Sequence, residues 1–267
     1  MKIVACIKYS LDVSEIKVDP ETEALKLAGV PKTIGNIDQN VLEAAVTLQE
    51  TYGGEVHGLS YGPPEAKEAF RDAMAMGLDD VTLVEASADG QNNPSVTAMV
   101  LATAIEKMGD VDVVICGEVS DDGFTYQVPP RLAERLNWPQ LSFARSIAME
   151  ADRLVVEREV DNGSQKIASP LPALISVTEE TNTPRRPTLM QAMKAKKKPV
   201  HIWKVDEDLG LSQDELNSRA LLEAKETKGV IVHRKRIKLE GEDQTETANR
   251  LVDLLIEEEI LKAATNG

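Results

Sequence analysis

The chain has 267 residues, of which 42% are apolar and 28% are charged, and it carries a formal net charge of −15. This length allows one large or two modest domains with a hydrophobic core, and the composition is that of an ordinary globular protein. The excess of acidic residues argues against binding to the phosphate backbone of nucleic acids. An aromatic content of 3% also leaves few rings for stacking on single strands.

The N-terminal segment MKIVACIKYS enters an alternating β-type pattern at once, without a charged-then-apolar signal region. The longest apolar runs are too short to cross a bilayer. We therefore expect a cytoplasmic protein that does not insert into a membrane. Its two cysteines, Cys6 and Cys116, fall in different predicted strands far apart in sequence. We predict that both are packing residues rather than a disulfide or a Cys-x-x-Cys redox pair.

Strand-like and helix-like segments alternate over the first two thirds of the chain. Short β-rich runs predict strands over residues 3–8, 55–62, 81–86 and 112–117. Helical spacing between them predicts three helices, each stopped by a glycine, at Gly53, Gly77 and Gly109. This alternation predicts an α/β fold, a doubly wound and mostly parallel sheet covered by helices.

The pattern changes after residue 150. Alternating apolar positions around an Asp161-Asn162-Gly163 turn predict an antiparallel hairpin added to the sheet. A proline-punctuated segment follows, with six basic residues and no acid between positions 185 and 198. The polar tail ends in an amphipathic helical pattern, which we expect to pack on a partner or on its own domain. Its apolar stripe consists of Leu251, Leu254, Leu255 and Leu261.

The segment VVICGEVSDDGFTYQVPPRLAERL, residues 113–136, passes from a predicted strand through an acidic loop into a helix. One interpretation is a metal site built from Glu118, Asp121 and Asp122, but the spacing matches no calcium loop. Zinc is not favoured, because the three histidines lack neighbours at ligand spacing. They are His57, His201 and His233.

A second interpretation is a phosphate-binding loop, because ligands of parallel α/β sheets lie beyond the carboxyl ends of the strands. Gly117 and Gly123 allow a sharp turn and a close approach, and the backbone amides of residues 125–128 lead into a helix that begins with prolines. Neither a Gly-x-Gly-x-x-Gly motif nor a P-loop is present. An acidic, solvated connection therefore remains an open alternative at this point.

Several separated motifs, taken in order, resemble the beta subunit of electron-transfer flavoproteins, and more closely the Fix-type branch associated with electron bifurcation. They extend over nearly the whole chain. The motifs are CIKYSLD (6–12), IGNIDQNVLEAA (34–45), SYGP (60–63), AMAMGLD (73–79), ICGEVSDDGFTYQV (115–128), LVVERE (154–159), LPALISV (171–177) and TNTPRRPTLMQAMKAKKKP (181–199).

The resemblance implies a nucleotide-binding α/β domain over residues 1–200, with a partner-recognition loop near 178–198. It also implies a C-terminal extension, 201–267, that wraps the alpha subunit. It further implies an adenine nucleotide inside the chain, AMP in ordinary members and a second FAD in bifurcating ones. The implied cofactor-binding residues are Cys6, Gly35, Asn36, Ile37, Asp38, Tyr61, Gly117, Glu118, Val119, Ser120, Asp122, Gly123, Phe124, Thr125, Tyr126, Gln127 and Val128.

For function, the resemblance implies a heterodimer with an alpha subunit and an FAD at the interface between them. In the bifurcating version NADH is the electron donor. The acceptors are a Fix-type quinone oxidoreductase and a ferredoxin-like protein. Such a quinone-reducing partner would allow the chain to associate with the membrane surface. Many relatives carry a leucine that anchors the acceptor dehydrogenase at the position where the resemblance places Thr181. The lysines at 194–198 are either a docking site for the partner or a solvated helix end. We expect no catalytic acid or base.

Two other function classes stay open. One is a non-bifurcating subunit with a structural AMP. The other is a nucleotide-binding regulator resembling universal stress proteins, although the Gly-Ser pair typical of their loop is missing after Gly123. An adenylating enzyme would require a phosphate loop near the first strand, and CIKYSLD provides none.

Overall fold

The computed structural model describes residues 1–86, 93–220, 227–231 and 234–261. His233 and the last residues of the predicted C-terminal helix lie outside the described residues. The described strands, in chain order, are β1 (Lys2–Cys6), β2 (Tyr9–Leu11), β3 (Lys17–Val18), β4 (Leu25–Lys26), β5 (Lys32–Ile34), β6 (Glu55–Gly62), β7 (Asp80–Glu85), β8 (Val113–Gly117), β9 (Gln140–Glu150), β10 (Arg153–Val160), β11 (Gly163–Pro170), β12 (Ala173–Val177) and β13 (Val200–Lys204).

Seven α-helices are described, and three short 3₁₀ segments (Val13–Glu15, Pro64–Glu68 and Glu179–Thr181) accompany them. The α-helices are α1 (Asn36–Tyr52), α2 (Phe70–Met76), α3 (Pro94–Met108), α4 (Val128–Leu136), α5 (Leu189–Ala195), α6 (Gln213–Arg219) and α7 (Gln244–Glu257). Among the described helices, none is both long enough and apolar enough to cross a membrane.

A nine-stranded sheet forms the centre of the molecule, in the order β11-β10-β9-β12-β8-β1-β6-β7-β13. The seven strands from β9 to β13 in this order are mutually parallel. One face is covered by α1, α2 and α5, and the other by α3, α4 and α6. The predicted α/β class with a mostly parallel sheet is confirmed.

The strand order reverses at β1. From β1 the chain passes through α1 to β6 on one side, whereas from β7 it passes through α3, on the opposite face, to β8 on the other side. Residues 3–5 of β1 are completely buried because the strand is covered on both faces. The crevice beyond the carboxyl ends of β1 and β8 is therefore the place where this topology leaves room for a ligand.

The predicted hairpin is present as β10 and β11, which are paired around Asp161 and Asn162. The structure corrects the interpretation of the residues that follow. The segment Ala173–Val177 does not extend the antiparallel hairpin but returns to the centre as a parallel strand between β8 and β9. Its five residues are all buried, so its apolar run reflects a strand covered on both faces rather than half exposed.

The predicted helix from the paired prolines to Gly77 is broken in the structure. Pro63 is extended, as expected for a residue before a proline, and the next turn closes with 3₁₀ bonds up to Glu68. The α-helix begins only at Phe70, and Phe70 and Met74 are buried beneath it. The three predicted glycine stops are confirmed, because α1, α2 and α3 end at Gly53, Gly77 and Gly109.

An ionisable cluster lies at the amino end of the sheet, opposite the crevice. His57 Nδ1 is 2.9 Å from Asp80 Oδ1, and this hydrogen bond raises the pKa of His57 above its usual value of 6.5. Glu55 adds a smaller attraction, whereas burial and the charge of Lys2 act in the opposite direction. His201 Nε2 lies 3.8 Å from the other oxygen of Asp80.

We predict that Asp80→Asn destabilises the protein more at pH 6 than at pH 9. A pKa raised in the folded state stabilises the fold below the unfolded pKa, and this contribution disappears as the pH rises through the folded pKa. The extra destabilisation at low pH should be on the order of 1 kcal/mol, measured by urea unfolding at both pH values. His201→Gln is the control and should show little change in pH dependence. Equal destabilisation by Asp80→Asn at both pH values would contradict the assignment.

Candidate functional site

Three chain segments meet at the carboxyl edge where the strand order reverses. They are residues 6–8 after β1, the start of α1 at 35–38, and the loop 117–128 between β8 and α4. A Cβ on Gly117 would lie 2.7 Å from Ile37 Cγ2 and 2.9 Å from the carbonyl oxygen of Val119. The first turn of α1 therefore packs directly against the end of β8, and only glycine fits between them.

Asp121 connects the acidic loop to α1. Its Oδ2 accepts a hydrogen bond of 2.8 Å from the backbone N–H of Asn36, which is the first residue of the helix. An added Cβ on Gly35 would lie 3.0 Å from Asp38 Oδ2 and 3.1 Å from Asp121 Oδ2. Asp121 thus takes the place of an N-cap side chain, which Gly35 cannot provide.

Asp38 is buried at this junction, with 5% of its surface exposed. Burial raises the pKa of its carboxyl group well above the usual value, and repulsion from Asp121 raises it further, while Lys8 lowers it only in part. The raised pKa favours the protonated form of Asp38, and a protonated carboxyl group donates a hydrogen bond.

Lys8 supplies the positive charge of the site. Its Nζ lies 2.7 and 2.8 Å from the two carboxylate oxygens of Asp122 and 3.5 Å from Ser120 Oγ. Sequence reasoning did not select Lys8, and the only signal was its place two residues after the end of a central strand. Asp122, which the resemblance assigned to the nucleotide, forms an ion pair in this structure.

The tip of the loop carries aromatic side chains in left-handed backbone conformations. Phe124 and Tyr126 have φ values of 47° and 57°, and their rings meet edge to face at 5.5 Å. Phe143 at the start of β9 has φ 58°, with its ring 6.3 Å from that of Tyr126. Phe124 is 62% exposed, so the tip presents apolar surface close to the crevice.

The remaining predicted residues of the loop differ in their surroundings. Gln127 Oε1 accepts two hydrogen bonds from Arg131, so this oxygen already has partners. Glu118 is partly buried, and its pKa is raised by burial and by repulsion from the nearby acids Glu180 and Glu179. The others divide by exposure, with Val119 buried, Gly123 and Thr125 exposed, and Val128, at the start of α4, in between.

The two cysteines lie side by side at the base of the crevice. The register of β1 against β8 places Cys6 next to Cys116, and both thiols belong to the same core layer. The pKa of Cys116 is raised well above its usual value by its hydrogen bond to Cys6 and then by burial. Both are buried, so their expected packing role is consistent with the structure, although their distance in sequence gave no hint of this contact.

Tyr61 ends β6 next to this pair and is 6% exposed. Its hydroxyl oxygen is buried, and no hydrogen-bond partner is found for it among the described residues. A buried hydroxyl without a partner costs roughly 1–3 kcal/mol, which indicates a missing polar ligand. Tyr61 also lines a cavity of ≈ 350 Å³ that continues along the same edge toward Lys204 and Leu216.

The acids of the loop have separate surroundings. In the ranges that the structure describes, no three metal-ligating side chains come together. Glu118 faces other acids, Asp121 binds the helix start and Asp122 binds Lys8. His57 and His201 share Asp80 at the opposite end of the sheet.

Residues 24–208 match the electron transfer flavoprotein domain. An electron transfer flavoprotein subunit beta from Thermoanaerobacterium thermosaccharolyticum is 36% identical over 96% of this chain and 97% of its own. This chain belongs to the electron transfer flavoprotein family. The family match leaves the universal-stress-like regulator and the adenylating enzyme without support.

Two further relatives carry other names, and one of these names is that of a subunit of a complex. Subunit CarD of the caffeyl-CoA reductase-Etf complex of Acetobacterium woodii is 36% identical over 80% of this chain and 82% of its own. Protein FixA of Azorhizobium caulinodans is 37% identical over 76% of this chain and 75% of its own. Electron transfer flavoprotein beta subunits pair with an alpha subunit, and the family is associated in general with flavin and AMP.

We predict that Gly117→Ala lowers the stability of the protein by roughly 1–3 kcal/mol, because the new methyl group must displace Ile37 or the Val119 carbonyl. Gly62→Ala is the matched control at the same sheet edge, since its nearest atoms would lie at 3.7–3.8 Å, an ordinary contact distance. Urea unfolding midpoints measure both effects. Equal midpoints for the two variants would show that the close approach at Gly117 is not required.

Proposed function

We propose that this chain is the beta subunit of an electron transfer flavoprotein and that it holds an adenine nucleotide where the strand order reverses. The observation that carries the proposal is the buried, unpartnered hydroxyl of Tyr61 beside a crevice bordered by the close contact of Gly117 with Ile37. The nucleotide would be held by the 17 residues that the resemblance assigns. We add Lys8 to this set because it lies two residues after β1 and contacts Asp122 and Ser120 of the loop.

The backbone and side chains at this edge suit different parts of a nucleotide. The backbone amides of residues 125–128, which precede Pro129 and Pro130 of α4, and the ammonium group of Lys8 suit phosphate, because both are hydrogen-bond donors. The hydroxyl groups of Tyr61, Ser120 and Thr125 suit polar atoms of the ribose or base. The apolar base of the crevice, formed by Cys6 and Cys116, excludes water.

We further propose that the nucleotide is a second FAD rather than AMP, and that the heterodimer bifurcates electrons from NADH. The names of the CarD and FixA relatives support an assembly with further redox partners. A cavity of ≈ 350 Å³ adjoins Tyr61 along the same edge of the sheet. A bound flavin accepts hydride and exchanges single electrons, while this chain positions it, shields it from water and sets its electrostatic surroundings.

In this proposal the acceptors are a Fix-type quinone oxidoreductase and a ferredoxin-like protein. An FAD shared with the alpha subunit lies between the two chains. The exposed apolar residues of α7, Leu251 and Val252, suit a C-terminal extension that packs on the alpha subunit. The simpler alternative is a structural AMP in this chain and a single FAD per heterodimer.

The partner-recognition segment is fixed to α1 by a network of polar contacts. The guanidinium of Arg185 pairs with both Glu43 and Glu50 at 2.7–2.9 Å, and Asn40 and Asn182 exchange amide hydrogen bonds. The segment is therefore presented from a rigid support. A surface held in this way loses less conformational entropy when a partner binds.

Exposed apolar side chains mark the docking surface within this segment. Leu189, Met190 and Met193 of α5 are 79%, 66% and 62% exposed. We do not include Thr181 in this proposed docking surface, because its hydroxyl donates to the carbonyl of Ala144 and accepts from the N–H of Thr178. Lys198 is also used internally and donates to carbonyl oxygens at the end of α2, so only the earlier lysines of the basic run remain for docking.

The cofactor content of the heterodimer tests the nucleotide proposal. We expect the denatured complex to release two FAD per heterodimer and no AMP. One FAD together with one AMP would leave the nucleotide site in place but reject bifurcation. If the complex releases one FAD per heterodimer and no further flavin or adenylate, the proposal of a nucleotide in this chain is contradicted. The measurement is chromatography of the released cofactors against protein concentration.

We predict that the double change Leu189→Ser and Met193→Ser lowers the rate of electron transfer to a redox partner by tenfold or more, because exposed apolar anchors commonly dominate interface energies. The FAD content should not change, since both side chains are exposed and neither belongs to the residues proposed to hold the nucleotide. Ile202→Thr, which removes another exposed apolar side chain, is the control. An unchanged rate of transfer would rule out this surface.

A further inference from the structure

The proposed phosphate site has an unfavourable local charge. Asp38, Asp121 and Asp122 surround the crevice, and the chain as a whole carries a net charge of −15. An anionic ligand needs a nearby cation or a protonated acid to bind here. In the part of the chain that the structure describes, two basic side chains hydrogen-bond to side chains of the loop, Lys8 to Asp122 and Arg131 to Gln127.

Lys8 is the better placed of the two. It follows β1 directly at the reversal of strand order, whereas Arg131 lies within α4, one turn beyond its start. The Lys8 ammonium group carries three donor hydrogens and contacts both Asp122 and Ser120. Its side chain is 25% exposed and that of Asp122 is 22% exposed, so solvent or a ligand can reach the pair.

Asp122 differs from its two neighbours in having no backbone role. Asp121 accepts from the start of α1, and Asp38 is buried beneath it. Asp122 instead has its two carboxylate oxygens bonded to one ammonium group. A partly exposed ion pair of this kind contributes little net free energy, so exchanging one anion for another at Lys8 costs little.

We infer that Lys8 binds the phosphate of the nucleotide and that the Asp122 carboxylate competes with this phosphate for the same ammonium group. The inference rests on the proposed nucleotide site and assigns Asp122 a new role. The ion pair with Asp122 neutralises Lys8 and connects the loop to the residues after β1. When phosphate enters, Lys8 turns from Asp122 to the ligand, and the freed carboxylate faces solvent.

If Asp122 competes with phosphate for Lys8, the variants should behave differently than if Asp122 itself binds the nucleotide. Lys8→Met removes the phosphate partner, so the affinity for AMP should fall by roughly tenfold or more. Asp122→Asn removes the competitor, so the affinity for AMP should rise by about two- to fivefold. Adenosine lacks the phosphate, and its affinity should change little in either variant. If Asp122 instead held the ribose hydroxyl groups, Asp122→Asn would weaken adenosine and AMP alike.

The experiment uses the full chain in complex with its alpha subunit, stripped of nucleotide, and titrates it calorimetrically with AMP and with adenosine. Lys166→Met and Glu150→Gln are matched controls, because this exposed ion pair on the distant hairpin allows the same changes of charge. Both controls should bind AMP as the unmodified chain does. Changes in AMP affinity equal to those at Lys8 and Asp122 would show a general effect of net charge and overturn the inference.

The outcomes separate this inference from the proposed function. If the unmodified complex binds neither AMP nor adenosine, the nucleotide site itself is wrong. If it binds both and Asp122→Asn weakens or leaves unchanged the affinity for AMP, the site stands and the competition is rejected. The Asp122→Asn variant decides the question even if Lys8→Met does not fold.

Discussion

The arrangement of this molecule depends on the reversal of strand order at β1. Because α1, which follows β1, and α4, which follows β8, lie on opposite faces of the sheet, the loops after these two strands separate and leave a crevice between them. The strands below it are buried on both faces, so the backbone at their ends is held rigidly. Every proposed nucleotide contact lies on this edge or on a loop that it supports.

Helix α1 carries this constraint to a second surface. Its first residue binds Asp121 of the acidic loop. Further along the helix, Asn40 binds Asn182, and Glu43 and Glu50 bind Arg185, in the segment proposed for partner recognition. The contact between Ile37 and Gly117 sets the position of its N-terminal end. One rigid helix therefore supports both the proposed cofactor site and the proposed docking surface, which gives a physical connection between them.

Electrostatics shape the site as much as packing does. A strongly acidic chain places three carboxyl groups around a crevice proposed to hold phosphate, and each is compensated in a different way. Burial keeps the pKa of Asp38 high, a helix N-terminus satisfies Asp121, and an ammonium group neutralises Asp122. The local charge is therefore much less negative than the sequence of the loop suggests.

The sequence by itself determined the α/β class, the hairpin at Asp161 and Asn162, and the glycine stops of α1 and α3, because these depend on local periodicity and turn chemistry. Only the tertiary structure decided that Ala173–Val177 is a central parallel strand, that Cys6 lies beside Cys116, and that Lys8 pairs with Asp122. Ala173 pairs with Val113, 60 positions away, and Lys8 pairs with Asp122, 114 positions away, so these contacts depend on strand order. Strand order arises from the packing of helices on the two faces, and no short stretch of sequence encodes it.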